Sequence, residues 1–130
     1  GLISIALLLF LHAGEVYRFG QFEREVHRNM LIANRQLPAE QPGNVRAEPI
    51  KIQARVWTYS TSFNALTRQQ IDSDSLTRKA RDPLLASVCT DPWQTLLLAH
   101  DVTVRFRYLD RNGQQVAEID FQPGICPAAS

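Results

Sequence analysis

The feature that most constrains this chain is a pair of alternating segments on either side of Asn112-Gly113. Val102, Val104, Phe106 and Tyr108 alternate with Thr103, Arg105 and Arg107. A period of two sends successive side chains to opposite faces of a strand. Asn-Gly suits a two-residue type I′ turn, which needs positive φ at both central positions. With these two residues as the loop, Arg107 falls opposite Glu118, Arg105 opposite Asp120, Phe106 opposite Ile119, Tyr108 opposite Ala117 and Val104 opposite Phe121. One face is then apolar and the other carries two cross-strand ion pairs. A slip of one residue would destroy both patterns, so the register of a β-hairpin over 102–121 is well specified.

The apolar face of that hairpin needs a second layer. Ile50 to Tyr59 also alternates: Ile50, Ile52, Ala54 and Val56 point one way, and Lys51, Gln53, Arg55, Trp57 and Tyr59 the other. This predicts another strand, polar at its start and aromatic at its end on the second face. Ser60-Thr61-Ser62 reads as a capping cluster, and 63–71 as a short helix or loop. Ser73-Asp74-Ser75 opens a helix, with Asp72 and Asp74 at its start and Arg78, Lys79 and Arg81 at its end, the order a helix dipole favours. Asp82-Pro83 and Asp91-Pro92 each look like an N-cap followed by proline at the first helical position. They predict short, angled helices, the last running to His100. The expected fold is α+β: an antiparallel sheet of 50–59 and the C-terminal hairpin, packed on one face by helices.

Upstream, 15–37 reads as an amphipathic helix, with Val16, Phe19, Phe22, Val26, Met30 and Ala33 spaced by three or four. Pro38 stops it, and 38–49 reads as a linker before an α+β domain over 50–130. Residues 1–14 carry no charged side chain, and Leu2 to Leu11 is broken only by Ser4. As a helix this run spans roughly 15–20 Å, against about 30 Å of bilayer core. It is expected to be the C-terminal part of a transmembrane or signal-anchor helix, with a signal-peptide core or a buried helix as the other readings.

Composition excludes several function classes. Apolar residues make up 45% and charged residues 21% of the 130, which is enough for a core, and the net charge of +1 comes with no basic block or acidic tail. Nucleic acid is therefore not an expected partner, and the arginines of the hairpin face away from its aromatics, unlike an RNA-reading sheet. His12, His27 and His100 are isolated, with no zinc-binding spacing. No Gly-x-Ser-x-Gly elbow and no phosphate-cradling glycine loop occurs, so neither catalytic residue nor metal nor cofactor is assigned. Trp57 and Tyr59 are the candidate interaction surface if their sheet face is open; the alternative is a helix packed over them. Cys89 and Cys126 are an even pair downstream of an export-like segment, which suggests a disulfide in an oxidising compartment; two separate buried thiols are the alternative.

Three pieces, Asn34-Arg35-Gln36-Leu37-Pro38, Val88-Cys89-Thr90-Asp91-Pro92, and Val102-Thr103 through Phe106, Tyr108, Asp110 and Gly113 to Cys126, together resemble the signature of a loose family of small bacterial envelope proteins. The resemblance covers roughly residues 34–126 and implies an exported α+β domain with a Cys89–Cys126 disulfide. It implies no activity. The expectation is a non-enzymatic envelope protein, membrane-tethered through its N-terminal segment or exported, that acts through contact with an envelope protein partner. Its expected place is the inner membrane facing the periplasm, or the periplasm or exterior. The alternatives are a periplasmic module binding a small ligand or lipid in a cleft between helices and sheet, and a hydrolase in which His27 or His100 meets a distant Ser or Asp.

Overall fold

The computed structural model describes residues 20–127. The proposed apolar anchor over 1–14 lies outside the described residues. Among these, no helix is long and apolar enough to cross a membrane. The chain divides into two compact units, Gly1–Ile32 and Ala33–Ser130.

The helix expected over 15–37 runs, among the described residues, over 20–34 (α1), and its burial follows the expected stripe. Val26 is buried and Phe22 and Met30 are half-buried, whereas Gln21, Arg24, Glu25 and Arg28 are exposed.

The second unit is a six-stranded mixed sheet with two helices. The strands are β1 (Ala39–Gln41), β2 (Val45–Ala47), β3 (Lys51–Gln53), β4 (Val56–Phe63), β5 (Thr103–Leu109) and β6 (Gln115–Phe121). The helices are α2 (Ser73–Thr90) and α3 (Pro92–Ala99), after a short 3₁₀ turn at Arg68–Gln70. The spatial order is β1-β2-β4-β5-β6, with β3 pairing with β4 alongside β2. All pairs are antiparallel except β4 with β5. An all-antiparallel sheet was expected; the two intervening helices supply the long crossover that parallel neighbours need.

The segment 38–49, expected as a linker, is itself a hairpin. Gly43 and Asn44 adopt positive φ (90° and 59°) in the turn between β1 and β2. The single strand expected over 50–59 is two strands. Gln53 pairs with Val56, so Ala54 and Arg55 form a two-residue turn, with φ of 50° and 60°. The strand then runs on through Ser60-Thr61-Ser62, which is ladder rather than cap. Asn34 anchors the start of this region: its side-chain oxygen accepts from Ile50 N (2.7 Å) and its amide donates to Ile50 O (2.9 Å).

β5 and β6 pair as Val104↔Phe121, Arg105↔Asp120, Phe106↔Ile119, Arg107↔Glu118 and Tyr108↔Ala117. These are the expected partners, but the turn differs. Gly113 N donates to Asp110 O and Asp110 N to Gln114 O, while Gly113 has φ of 80° and Asn112 is not at positive φ. This is a three-residue loop ending in a left-handed glycine, not a type I′ turn at 112–113. The register shift between Tyr108 and Leu109 leaves Val116 as the extra residue. That bulge absorbs the one-residue difference and restores the outer pairs.

α2 runs unbroken through Pro83, against the expected restart at Asp82. Leu76, Ala80, Leu84 and Val88 recur every fourth residue on its inward side, and Pro83 is exposed. One continuous apolar stripe therefore outweighs one missing backbone hydrogen bond. Asp91 behaves as expected, with its carboxylate accepting from Gln94 N at 2.9 Å. Trp57, Val88, Leu97, Val104 and Phe121 form the centre of the core, and Cys89 is bonded to Cys126, with Cα atoms 5.5 Å apart.

Candidate functional site

Strand alternation gives the sheet two unlike faces. Trp57, Tyr59, Thr61 and Phe63 of β4 share one face with Val104, Phe106 and Tyr108 of β5. Tyr59 stacks on Phe106 (5.2 Å between centroids), and Phe63 on Tyr108 (6.1 Å). The helices cover this face. Trp93 of α3 meets Trp57 edge-on at 5.5 Å, and Arg81 of α2 lies over Phe121 at 5.4 Å. Trp57 is only 1% exposed. The sequence-level surface patch of Trp57 and Tyr59 is thus corrected: Trp57 is core and Tyr59 is half-buried beside it. Burial of Tyr59 pushes its phenol pKa up.

The other face is polar. Thr58, Ser60 and Ser62 of β4 alternate with the aromatic set, and Arg105 and Arg107 of β5 stand beside them in register (Thr58↔Arg105, Ser60↔Arg107). Arg46 pairs opposite Ser62, and Lys51 opposite Thr58. Between Ala47↔Thr61 and Lys51↔Thr58 the outer chain takes one residue more than β4 does. Pro49 sits in this interruption, where its missing N–H costs no ladder bond.

The break opens a groove of about 420 Å³ whose lining includes Arg46, Glu48, Lys51, Ser60, Ser62, Arg107, Asp110 and Arg111. A second groove of about 300 Å³ continues along the same face past Lys51, Thr58, Arg105 and Arg107. Lys51 and Arg107 line both.

The acids of this face are already engaged. Glu48 accepts from Arg46 Nε (2.6 Å) and Ser62 Oγ (2.9 Å). Asp110 is 1% exposed and accepts from the backbone N–H groups of Asn112 (2.8 Å), Gln114 (2.8 Å) and Arg68 (3.0 Å). Burial alone would raise its pKa. The three N–H donors and the nearby Arg111 outweigh it and hold the carboxyl below the ordinary aspartate value. Asp120 takes Arg105 in a bidentate pair at 2.8 and 3.0 Å.

Two separate cross-strand ion pairs were expected here. Both are present, Arg105 with Asp120 (2.8 Å) and Arg107 with Glu118 (3.7 Å), and Glu118 also approaches Arg105 at 3.3 Å. Arg107 Nε is buried and has no hydrogen-bond partner within the protein.

Neither groove is lined by a histidine, and no cluster of three metal-ligating side chains occurs among the described residues. The sequence reading missed Lys51, Ser60, Ser62 and Arg111 as neighbours. The alternation of 50–59 was the available signal, but the turn at Ala54-Arg55 folded it back on itself.

No family model matches the chain. No curated protein matches it either. Solved structures do share its fold. A protein of Pseudomonas aeruginosa assigned as secreted superposes with a TM-score of 0.68 at 17% identity, over 85% of this chain and 95% of that one. The pilotin EpsS of the Vibrio vulnificus type 2 secretion system gives 0.62 at 15% identity, over 84% and 94%. The type II secretion pilotin AspS of Vibrio cholerae gives 0.53 at 14% identity, over 76% and 86%.

Proposed function

We propose that this chain is an exported bacterial envelope protein that works by holding another envelope protein, in the manner of a pilotin. One observation carries the reading: its fold extends over 94% of a type 2 secretion pilotin, so the likeness involves that protein as a whole. The Cys89–Cys126 bond suits an oxidising compartment, as does the resemblance of 34–126 to exported envelope proteins. In this reading the domain faces the periplasm, and residues 1–14 tether it to the inner membrane or direct its export.

The test is made in the native host with a C-terminal tag. Protease should cut the tagged domain only after the outer membrane is permeabilised, and amine cross-linking of intact cells should give one adduct of constant mass. A chain recovered from the cytoplasm with alkylatable thiols, or one that gives no discrete adduct, overturns the proposal.

A further inference from the structure

The polar sheet face holds more cationic charge than its own acids use. Glu48 and Asp110 are occupied as described, and Asp120 is claimed by Arg105. No salt bridge to Lys51 or Arg111 occurs among the described residues, and Arg107 has only the 3.7 Å approach of Glu118. The Arg107 side chain is 32% exposed, so its outer nitrogens can take a further carboxylate beside the loosely held Glu118 through a charge-assisted bond.

The shape of the trough narrows the ligand. The two grooves share Lys51 and Arg107 and together follow β4 from Val56 to Ser62. At about 3.3 Å per residue this is roughly 20 Å. Lys51 stands at the level of Thr58 and Arg107 at that of Ser60, two residues and hence about 7 Å apart along β4. That is also the spacing of alternate side chains in an extended peptide. The floor is mixed: Ser60 is half-buried, Thr58 and Ser62 are buried, Ser62 is bonded to Glu48, and Pro49, Phe63 and Leu109 also line the groove. A single small anion would fill a fraction of such a trough.

We infer that this trough binds an extended segment of a protein partner carrying acidic side chains at alternate positions, with Lys51, Arg107 and Arg111 receiving the carboxylates. The inference deepens the protein-contact reading above by giving the chemistry of one partner segment.

The test is a fluorescence-anisotropy titration of the full chain with a labelled Glu-Ser repeat of about ten residues, at about 50 mM salt. Binding is expected, with loss by about 0.5 M salt as the charges are screened. K51Q/R107Q should weaken it about tenfold, the effect of one to two well-placed charge pairs. R78Q/K79Q, which removes two exposed cations from α2, should leave it unchanged, and a Lys-Ser repeat should not bind. If K51Q/R107Q fails to fold, K51Q/R111Q carries the comparison, since neither of its residues is ion-paired within the described protein.

No binding of the Glu-Ser repeat, or equal weakening in R78Q/K79Q, overturns the inference. Complete displacement by millimolar inorganic phosphate also overturns it, because the site would then be one for a small anion. The titration depends on neither export nor the natural partner. Failure here with the envelope cross-link intact removes the trough alone; loss of the cross-link with peptide binding intact removes the broader proposal alone.

Discussion

Ala54 and Arg55 should be the least comfortable residues of the sheet. Both central positions of the β3–β4 turn have positive φ, 50° and 60°, and both side chains carry a Cβ. The left-handed region costs an L-residue roughly 1–2 kcal/mol, so the turn stores about 2–3 kcal/mol. Replacing the pair with the dipeptide that type I′ turns favour, A54N/R55G, relieves most of this, since Asn tolerates the region and Gly has no Cβ. Against the gain stand about 0.5–1 kcal/mol for the extra freedom of a new glycine in the unfolded chain and the loss of the long Arg55 Nη1 contact to His100 O at 3.4 Å. The backbone bond from Thr103 N to Arg55 O survives the substitution. The net expectation is a stabilisation of about 1 kcal/mol, which is about 4–8 °C in Tm for a domain of this size. Urea denaturation followed by tryptophan fluorescence measures it, because Trp57 lies directly beyond the turn in β4. A54V is the opposing control: a β-branched residue at positive φ should destabilise by about 1 kcal/mol or more. An unchanged midpoint in A54N/R55G, or an A54V protein as stable as the parent, would refute a type I′ turn at this point.

Three further outcomes follow from the same structure. The disulfide closes a loop with a sequence separation of 37, so C89A/C126A should lose about 4 kcal/mol by the chain-entropy relation, read from urea midpoints at constant m; a loss under about 1 kcal/mol would mean that the unfolded chain is already held compact. P83A restores an N–H facing the carbonyl of Lys79 and should stabilise by about 1–2 kcal/mol, after allowing for the lost stiffness of the unfolded chain; a drop in thermal midpoint would show that α2 bends at Pro83. Asp110 has a folded pKa held down, so its stabilising contribution is fully present above the unfolded aspartate value of about 3.9 and is lost as pH falls through the lower folded value. D110N should therefore be less stable at neutral pH and show a shallower decline of Tm as pH falls below about 4; parallel declines in the two proteins would remove Asp110 as the source.

The parts of this fold that the sequence made legible are those in which one pattern constrained many residues. The β5–β6 pairing tolerated an error in its own turn, because five facing pairs and two sign-matched charges constrain the register more strongly than the loop does. Asp91-Pro92 was legible because capping is local chemistry. The turn at Ala54-Arg55 was not, since neither residue advertises positive φ and the alternation on either side reads straight through it. The parallel β4–β5 pairing depends on where two helices return the chain, and no local pattern records that.

The cationic trough belongs to this second kind. Each of its acids and bases was visible in the sequence, and the two cross-strand pairs read there, Arg105 with Asp120 and Arg107 with Glu118, do form. A surplus remains because Asp110 is taken by three backbone donors, and the interruption at Pro49 leaves Lys51 standing across the groove without a partner among the described residues. A net charge of +1 over the whole chain therefore conceals a local surplus. The surplus arises because the fold brings Lys51 and Arg111 from separate segments to one groove beside Arg107, which only the register of the assembled strands reveals.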